Sequence, residues 1–488
     1  MGDVHLSDAD AFTLHLEQDP LLRSTIVAIA VLDRSPRWSR LVESMERATR
    51  LEPNFRRRLV PGSGPFVPPR WTDDPAFDLS WHLRRIGAPE PRNFDAVLEF
   101  ARIAGMAAFD PARPRWEFTL VEGMDDGSAA LVMKVHHALT DGIGGIQLAR
   151  HVVDLDRRGT RRSTVAEPPH GPSGDLVERA ADAVVHDAER VGSMVAGALR
   201  WLPGAVSAWA HRPLSVWSDV GQVARSVGRF VRPITTTLSP VMTDRRLGWR
   251  YREFDVSLPL LKEAATMADG TLNDGFLAAV AAGLARYHQR HGSRIEELRV
   301  TMPISIRSET DEPGGNHITL VRFTVPLGDH DPVSRMLAID HSCTILRHEP
   351  AVGWSSAIAG ALNLLPTSVA GGMLRHVDVL ASNVPGFDIA VFVAGARIDR
   401  FYAFGPTMGA AANVTLMSYR DRCYIGVTTD IGAVPDADAF TRCLTEGFDE
   451  LIGLVDMAPA GTLGARRSRR PRTPRTHPPS GAADDGRP

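Results

Sequence analysis

The chain is 488 residues long, with 43% hydrophobic residues, 23% charged residues and a formal net charge of −3. This length is enough to bury two hydrophobic cores, since single cores seldom grow beyond about 250–300 residues. The small net charge gives no general basis for binding nucleic acid, and no uninterrupted apolar stretch reaches the roughly 18 residues that a membrane-spanning helix needs.

The three cysteines, Cys343, Cys423 and Cys443, form no even set of close spacings. This pattern suits a reducing compartment better than a disulfide-stabilised secreted protein. The N-terminus has no basic segment followed by an apolar one, so we expect no secretory signal and a cytoplasmic location.

Residues 1 to about 160 alternate short apolar runs with helical patterns. Thr25 to Leu32 is a continuous apolar run that predicts a buried strand, and Leu41 to Leu51 has helical periodicity. Such alternation is typical of an α/β domain, so we predict an N-terminal α/β unit over residues 1–160.

A distinctive motif follows the apolar run Ala129 to Val135, which has the length of one strand. The sequence 136–142 is His-His-Ala-Leu-Thr-Asp-Gly, and a helical-looking segment follows at 146–155. The histidine pair is therefore predicted on a loop between strand and helix, where rigid elements on both sides can fix an imidazole. Neutral imidazole is the side chain best suited to accept a proton near neutral pH.

The two histidines are expected to divide the work. Adjacent side chains on an extended segment point to opposite faces, so one of His136 and His137 would face a reaction and the other would pack behind it. The same geometry disfavours a shared metal ion, and we expect no metal site. Asp141 more naturally pairs with an arginine or caps the turn, while Gly142 permits a tight turn. A purely structural role for the pair is the alternative.

A change of composition marks a connector over residues 161–240. It begins with loop-forming residues, continues with helical periodicity from Leu176 to Leu202, and carries tryptophans near arginines at Trp201, Trp209 and Trp217. This mixture fits an amphipathic helix in a lipid interface, or equally an interdomain helix pair that buries the aromatic rings against protein.

Residues 241–460 form a second predicted unit, and the Arg- and Pro-rich segment 461–488 is predicted to be a disordered basic tail. Asn273-Asp274 follows Thr271 at the start of a helical stretch, which fits a capping box. Asn273 could in addition donate to a substrate carbonyl. Composition alone makes Asn383-Val384-Pro385-Gly386 a turn.

Several further blocks accompany the histidine motif between residues 5 and 457. They are Phe55-Arg56-Arg57-Arg58-Leu59-Val60, Pro69-Arg70-Trp71, Phe77-Asp78-Leu79, His82-Leu83-Arg84-Arg85, Asn273-Asp274, Met302-Pro303-Ile304-Ser305-Ile306-Arg307, Gly315-Asn316, Ser382-Asn383-Val384-Pro385-Gly386, Gly405-Pro406, Asn413-Val414-Thr415, Ser418-Tyr419 and Gly426. With HHxxxDG, a motif of the CoA-dependent acyltransferase superfamily, this order resembles the bacterial wax ester synthase/diacylglycerol acyltransferase family.

The resemblance implies a fold of two similar α/β domains joined by a long helical connector, with the active site in the channel between them. It implies that His137, the second histidine of the motif, is the proton acceptor, supported by His136, Asp141 and Gly142. The Asn273, Asp274 and Asn383 positions would line the site, without any metal.

The implied activity is transfer of a fatty acyl group from acyl-CoA, a substrate and not a cofactor, to diacylglycerol or a long-chain alcohol. The sequence shows no GxSxG nucleophile motif, so the hydroxyl is expected to attack the thioester directly. We expect peripheral association with a membrane or lipid droplet and no nucleic-acid partner. A condensation-type acyl transfer and a non-catalytic lipid-surface protein are the alternatives.

The chain departs from the family pattern at three places. The family usually has Pro-Leu-Trp about twenty residues before the histidine pair, where this chain has Pro114-Arg115-Trp116. Asp8 stands where proline is common, and Phe387 follows Gly386 where the family has a second proline. None of these changes removes the proposed base, and Arg115 is the one closest to the histidine motif in the chain.

Overall fold

The computed structural model describes residues 4–62, 68–139, 145, 149–159, 236–305, 318–328, 330–347, 359–360, 362–363, 366–372 and 374–457. Asp141, Gly142, nearly all of the predicted connector and the predicted tail lie outside these residues. In chain order the described strands are β1 Val4–His5, β2 Thr25–Leu32, β3 Arg57–Val60, β4 Arg70–Asp73, β5 Leu83–Gly87, β6 Trp116–Glu122, β7 Ala129–His136, β8 Val153–Asp154, β9 Trp249–Ser257, β10 Glu297–Ser305, β11 Ile318–Pro326, β12 Val379–Val384, β13 Phe392–Val393, β14 Ala396–Phe404, β15 Ala412–Tyr419 and β16 Arg422–Asp430.

The α-helices of the same residues alternate with these strands, which gives the predicted α/β class. They are α1 Asp8–Leu16, α2 Trp38–Leu51, α3 Leu79–His82, α4 Phe94–Met106, α5 Leu258–Thr266, α6 Leu272–Arg290, α7 Pro332–Arg347, α8 Thr367–Gly372 and α9 Ala437–Met457. None of them is long and apolar enough to cross a membrane, as judged over the described part of the chain.

The first large sheet has seven strands in the order β5-β6-β7-β2-β14-β13-β8. Strand β14 pairs antiparallel with β2, from Phe404 opposite Val27 to Ile398 opposite Leu32. Because β2 is apolar and almost entirely buried, it needs a partner along both edges. Strand β7 covers one edge of β2, and β14 from the predicted C-terminal unit covers the other. Residues 1–160 therefore do not build the N-terminal sheet alone.

The second large sheet has six strands in the order β11-β10-β12-β15-β16-β9. Helices α5, α6 and α9 pack on it and share one apolar core with its strands, including Phe276, Leu416 and Phe448. Helix α6 begins with the predicted capping box, in which the Thr271 side chain accepts from the backbone of Asp274 and the Asp274 side chain accepts from the backbone of Thr271.

The two sheets meet where β14 of the first sheet crosses β15 and β16 of the second. The Tyr419 hydroxyl donates to the Ile398 carbonyl at 2.8 Å, and the Tyr424 hydroxyl donates to the Asp399 carbonyl at 3.0 Å. These bonds satisfy buried phenol groups and fix the spacing between the sheets.

The segment after the histidine motif differs from its prediction. The sequence predicts a helix over 146–155, but of the described residues 149–152 are helical and Val153–Asp154 form β8. Strand β8 pairs with Phe392 and Val393 of β13, so a tertiary partner replaces the last turn of the helix.

Candidate active site

A large cavity lies between the two sheets. Apolar side chains of β2, β7 and β14 line it, among them Ile26, Met133 and Phe401, and β12 and β15 contribute others such as Leu380 and Met417. The cavity measures about 1420 Å³ with its open mouth included. Its wall is suited to a long apolar ligand.

Polar side chains are few on this wall. In the described part of the chain they are His137, Ser382, Asn413 and Thr415. The sequence singled out His137 for this role, while Ser382, Asn413 and Thr415 appeared there only as parts of longer motif blocks.

His137 follows the last residue of β7 and faces the cavity. Side chains alternate along β7, so Met133 and Val135 line the cavity on the same side as His137, whereas Lys134 and His136 are buried on the other side. The backbone N–H of His137 donates to the Ser24 carbonyl at 3.0 Å, which ties the turn to the start of β2. The imidazole is thus held at the wall by strands on both sides.

His136 is fully buried behind this turn. Its Nδ1 accepts a hydrogen bond from the backbone N–H of Ala138 at 3.0 Å, so the proton of the neutral ring resides on Nε2. Nε2 lies 2.9 Å from a carboxylate oxygen of Glu17, to which it donates. His136 therefore joins the turn that carries His137 to a carboxylate at the end of α1.

Glu17 is the centre of this buried polar group. Its Oε1 accepts from both the backbone N–H and the hydroxyl of Ser24, each at 2.8 Å, and its Oε2 also accepts from Arg115 at 3.3 Å. Burial alone would raise the pKa of Glu17, but the hydrogen bonds from His136 and Ser24 outweigh it and lower the pKa to about 2. Glu17 is therefore a carboxylate at any physiological pH.

Arg115 supports His136 mainly through its backbone. Its carbonyl accepts from the backbone N–H of His136 at 3.0 Å, independently of the side chain. The guanidinium is largely buried, which lowers its pKa, and its Nε has no hydrogen-bond partner in the described part of the chain. The unusual arginine thus reaches Glu17 at the cost of an unsatisfied donor.

The Arg115→Leu variant, which restores the residue usual in the family, is expected to be close to wild type. Glu17 keeps the donors on Ser24 and His136, and a buried unpaired Nε is removed. We expect kcat to change less than about fivefold and the free energy of unfolding by less than about 1 kcal/mol. Urea denaturation and initial rates measure both. A loss of tenfold or more in kcat would show that the ion pair itself positions the site.

The other residues that the sequence proposed for the site lie elsewhere. Asn273 and Asp274 are in the first turn of α6, where Asp274 serves the capping box, and neither lines the cavity. Asn383 is on β12 between two lining residues, Ser382 and Val384, but is not itself part of the lining. Among the site positions named from sequence, the structure brings His136 and His137 together.

The described residues contain no group of three or more His, Cys, Asp or Glu side chains that could hold a metal ion. The three cysteines are buried, and none lines the cavity. Burial raises the pKa of the Cys423 thiol to about 12, so it is protonated at neutral pH.

The sequence of this chain matches two family models and several curated proteins. The family model described as wax ester synthase/diacylglycerol acyltransferase catalytic domain matches residues 6–276, and the WS/DGAT C-terminal domain matches residues 314–452. A putative diacylglycerol O-acyltransferase of Mycobacterium tuberculosis is 37% identical over 446 residues, which cover 90% of this chain and 89% of that protein.

Two solved structures share the fold. The wax ester synthase/diacylglycerol acyltransferase from Marinobacter aquaeolei VT8 has a TM-score of 0.60 and 20% identity, covering 92% of this chain and 98% of that one. The first condensation domain of the calcium-dependent antibiotic synthetase has a TM-score of 0.58 and 14% identity, covering 92% and 96%. The predicted pair of acyltransferase-like α/β domains is confirmed.

Proposed function

We propose, since this chain belongs to the wax ester synthase/diacylglycerol acyltransferase family, that it transfers a fatty acyl group from acyl-CoA to diacylglycerol and makes triacylglycerol. One observation carries the proposal: His137, the second histidine of HHxxxDG, is at the wall of a wide apolar cavity between the sheets. Long-chain alcohols, which would give wax esters, are the second acceptor class that such a cavity could admit.

His137 acts as the general base in this proposal. An alcohol is a weak nucleophile until its proton is removed in the transition state. The imidazole of His137 accepts the hydroxyl proton while the oxygen attacks the thioester carbonyl. A tetrahedral oxyanion forms and collapses, the C–S bond breaks, and the CoA thiolate takes the proton back from the imidazolium. The ester and free CoA leave, and no resident cofactor takes part.

The wall of the cavity supports a lipid acceptor over the amine acceptor of a condensation-type reaction. Each buried methylene of an acyl chain contributes about 0.8 kcal/mol, so a chain within this cavity binds through its length alone. A peptide acceptor would instead need polar partners that this wall offers in only a few places. A non-catalytic lipid-surface protein would have no need of an imidazole at the wall.

The acceptor also supports a location at a lipid surface. Diacylglycerol is dissolved in membranes or lipid droplets, so we infer peripheral association of a cytoplasmic enzyme with such a surface. The tryptophans proposed for this contact, Trp201, Trp209 and Trp217, lie outside the described residues.

The decisive experiment is an assay with radiolabelled acyl-CoA and either diacylglycerol or hexadecanol as acceptor. We expect labelled triacylglycerol, resolved by thin-layer chromatography. Both substrates must occupy the cavity together, so initial-rate plots at several acceptor concentrations should intersect. Absence of ester from both acceptors would reject the proposed function. Parallel lines, or an acylated protein detected by mass spectrometry, would reject direct attack in favour of a covalent intermediate.

A further inference from the structure

A small polar patch interrupts the apolar wall on the second sheet. Ser382 of β12 is directly opposite Thr415 of β15 in their parallel pairing, and Asn413 precedes Thr415 by two residues on the same face of β15. All three line the cavity that His137 also lines. We call Ser382, Asn413 and Thr415 the polar ledge.

Hydrogen bonds fix the orientation of the ledge. The Thr415 hydroxyl donates to Asn413 Oδ1 at 2.9 Å, and Asn413 Nδ2 donates to the Pro406 carbonyl at 2.8 Å. An amide nitrogen carries two N–H groups, and Pro406 accepts from one of them. Within the described residues the second N–H and the Ser382 hydroxyl have no hydrogen-bond partner. The ledge therefore retains donors beside an apolar cavity.

The backbone next to the ledge is shaped to admit the amide. A Cβ atom built on Gly405 would lie 2.5 Å from Asn413 Nδ2, closer than Cβ atoms approach other atoms in proteins. Glycine at 405 lets the chain pass directly against Asn413, whose amide is oriented by its bonds to Pro406 and Thr415. Ordered donors of this kind are what a site needs to recognise an acceptor group on a ligand.

We propose that the polar ledge binds the ester carbonyl groups of a diacylglycerol acceptor and so favours diacylglycerol over a fatty alcohol. This inference rests on the proposed function. A fatty alcohol has one polar group, its hydroxyl, which meets His137. Diacylglycerol carries two further ester carbonyls, which can only accept hydrogen bonds and lose their water inside the cavity. The ledge has donors and no charged side chain, which suits a neutral ester better than a phosphate headgroup.

The test compares acceptors in the wild type and in two ledge variants, Ser382→Ala and Thr415→Val. A site that hydrogen-bonds a substrate group discriminates against analogues that lack this group. We expect the ratio of kcat/KM for diacylglycerol to that for hexadecanol to fall about tenfold in Ser382→Ala, as loss of one such hydrogen bond implies. Thr415→Val should also lower the ratio, because the Asn413 amide loses the hydroxyl that orients it. Thr441→Val on α9 is the matched control, because its hydroxyl also donates within the protein but does not line the cavity. It should leave the ratio unchanged.

A further acceptor tests the contribution of the ester carbonyl groups by themselves. A dihexadecylglycerol ether keeps the hydroxyl and both chains of diacylglycerol but has no carbonyl group. The wild type should prefer the diacyl compound about tenfold, and the ledge variants should lose this preference. Ser382→Ala removes only a half-buried hydroxyl, so it carries the test even if Thr415→Val unfolds. The ledge proposal is overturned if the active wild type shows no preference between the diacyl and the ether compound. It is also overturned if a variant loses activity on all acceptors by the same factor. A wild type without activity on any acceptor instead overturns the proposed function.

Discussion

The His137→Ala variant is expected to lose kcat by about 10²- to 10⁴-fold, the usual contribution of a general base. The imidazole lies at the cavity wall, and the bond that holds the turn comes from the backbone of residue 137, so the fold should persist. Initial rates with radiolabelled acyl-CoA measure the loss, and thermal unfolding measures the stability.

Two controls separate chemistry from structure in this experiment. His291→Ala removes a histidine after α6 that does not line the cavity, so it should retain wild-type turnover. Free imidazole added to His137→Ala should restore part of the rate, because the variant leaves a space of matching shape. A folded His137→Ala protein with near-wild-type turnover would show that another group accepts the proton.

The Glu17→Gln variant is expected to reduce kcat by about 10²-fold through misplacement of His137, with a smaller effect on KM for acyl-CoA. The amide keeps the size of the carboxylate and an oxygen for Ser24. It cannot accept from His136 and Ser24 together as the carboxylate does, so the ring of His136 and the turn after it lose their fixed position. Glu17 is thus a positioning residue. A rise in KM for acyl-CoA without a fall in kcat would contradict this role.

The pH dependence of stability gives an independent measure of the same residue. The pKa of Glu17 is lowered from 4.5 to about 2 in the folded protein, so the carboxylate stabilises the fold above pH 4.5. This contribution, on the order of 3 kcal/mol, is lost as the pH falls from 4.5 towards 2. The difference in free energy of unfolding between wild type and Glu17→Gln, measured in urea, should shrink over this interval.

A surface carboxylate provides the comparison. Glu99 also pairs with an arginine, Arg102, but its side chain is 54% exposed. Exposed ion pairs contribute about 0–1 kcal/mol, so Glu99→Gln should leave kcat unchanged and show little dependence of stability on acid pH. Equal effects of the two substitutions would show that Glu17 has no special role.

Local sequence was sufficient to predict the strands that carry the motif. The predicted strand from Thr25 to Leu32 has the bounds of β2, and the predicted strand from Ala129 to Val135 is one residue shorter than β7. Both are largely apolar runs of strand length, interrupted in β7 by Lys134, and runs of this length and composition favour strands. The capping box of α6 was predictable for the same reason, since Thr271 and Asp274 act on each other within one turn.

Contacts between residues far apart in the chain could not be predicted from the sequence. Nothing in the residues of β14 indicates that its neighbour is β2, which lies more than 360 residues away in the pairing of Ile398 with Leu32. Glu17 gives no motif signal, because one carboxylate is unremarkable until folding brings Ser24 and His136 to it. The arginine at 115 was the available clue, since a cation within a buried segment requires a carboxylate nearby.

Strand β14 lies late in the chain but pairs with β2 in the first sheet, and this has a consequence for folding during synthesis. A ribosome adds about 5–20 residues per second, so tens of seconds separate the emergence of β2 from that of β14. During this time the nascent N-terminal sheet has an open edge along β2, whose side chains at Val27, Ile29 and Val31 are fully buried in the finished protein. Such an edge is a template for pairing with other chains. This edge therefore stays open to other chains until residue 404 has left the ribosome, and the cavity wall is complete only after Met417 has followed.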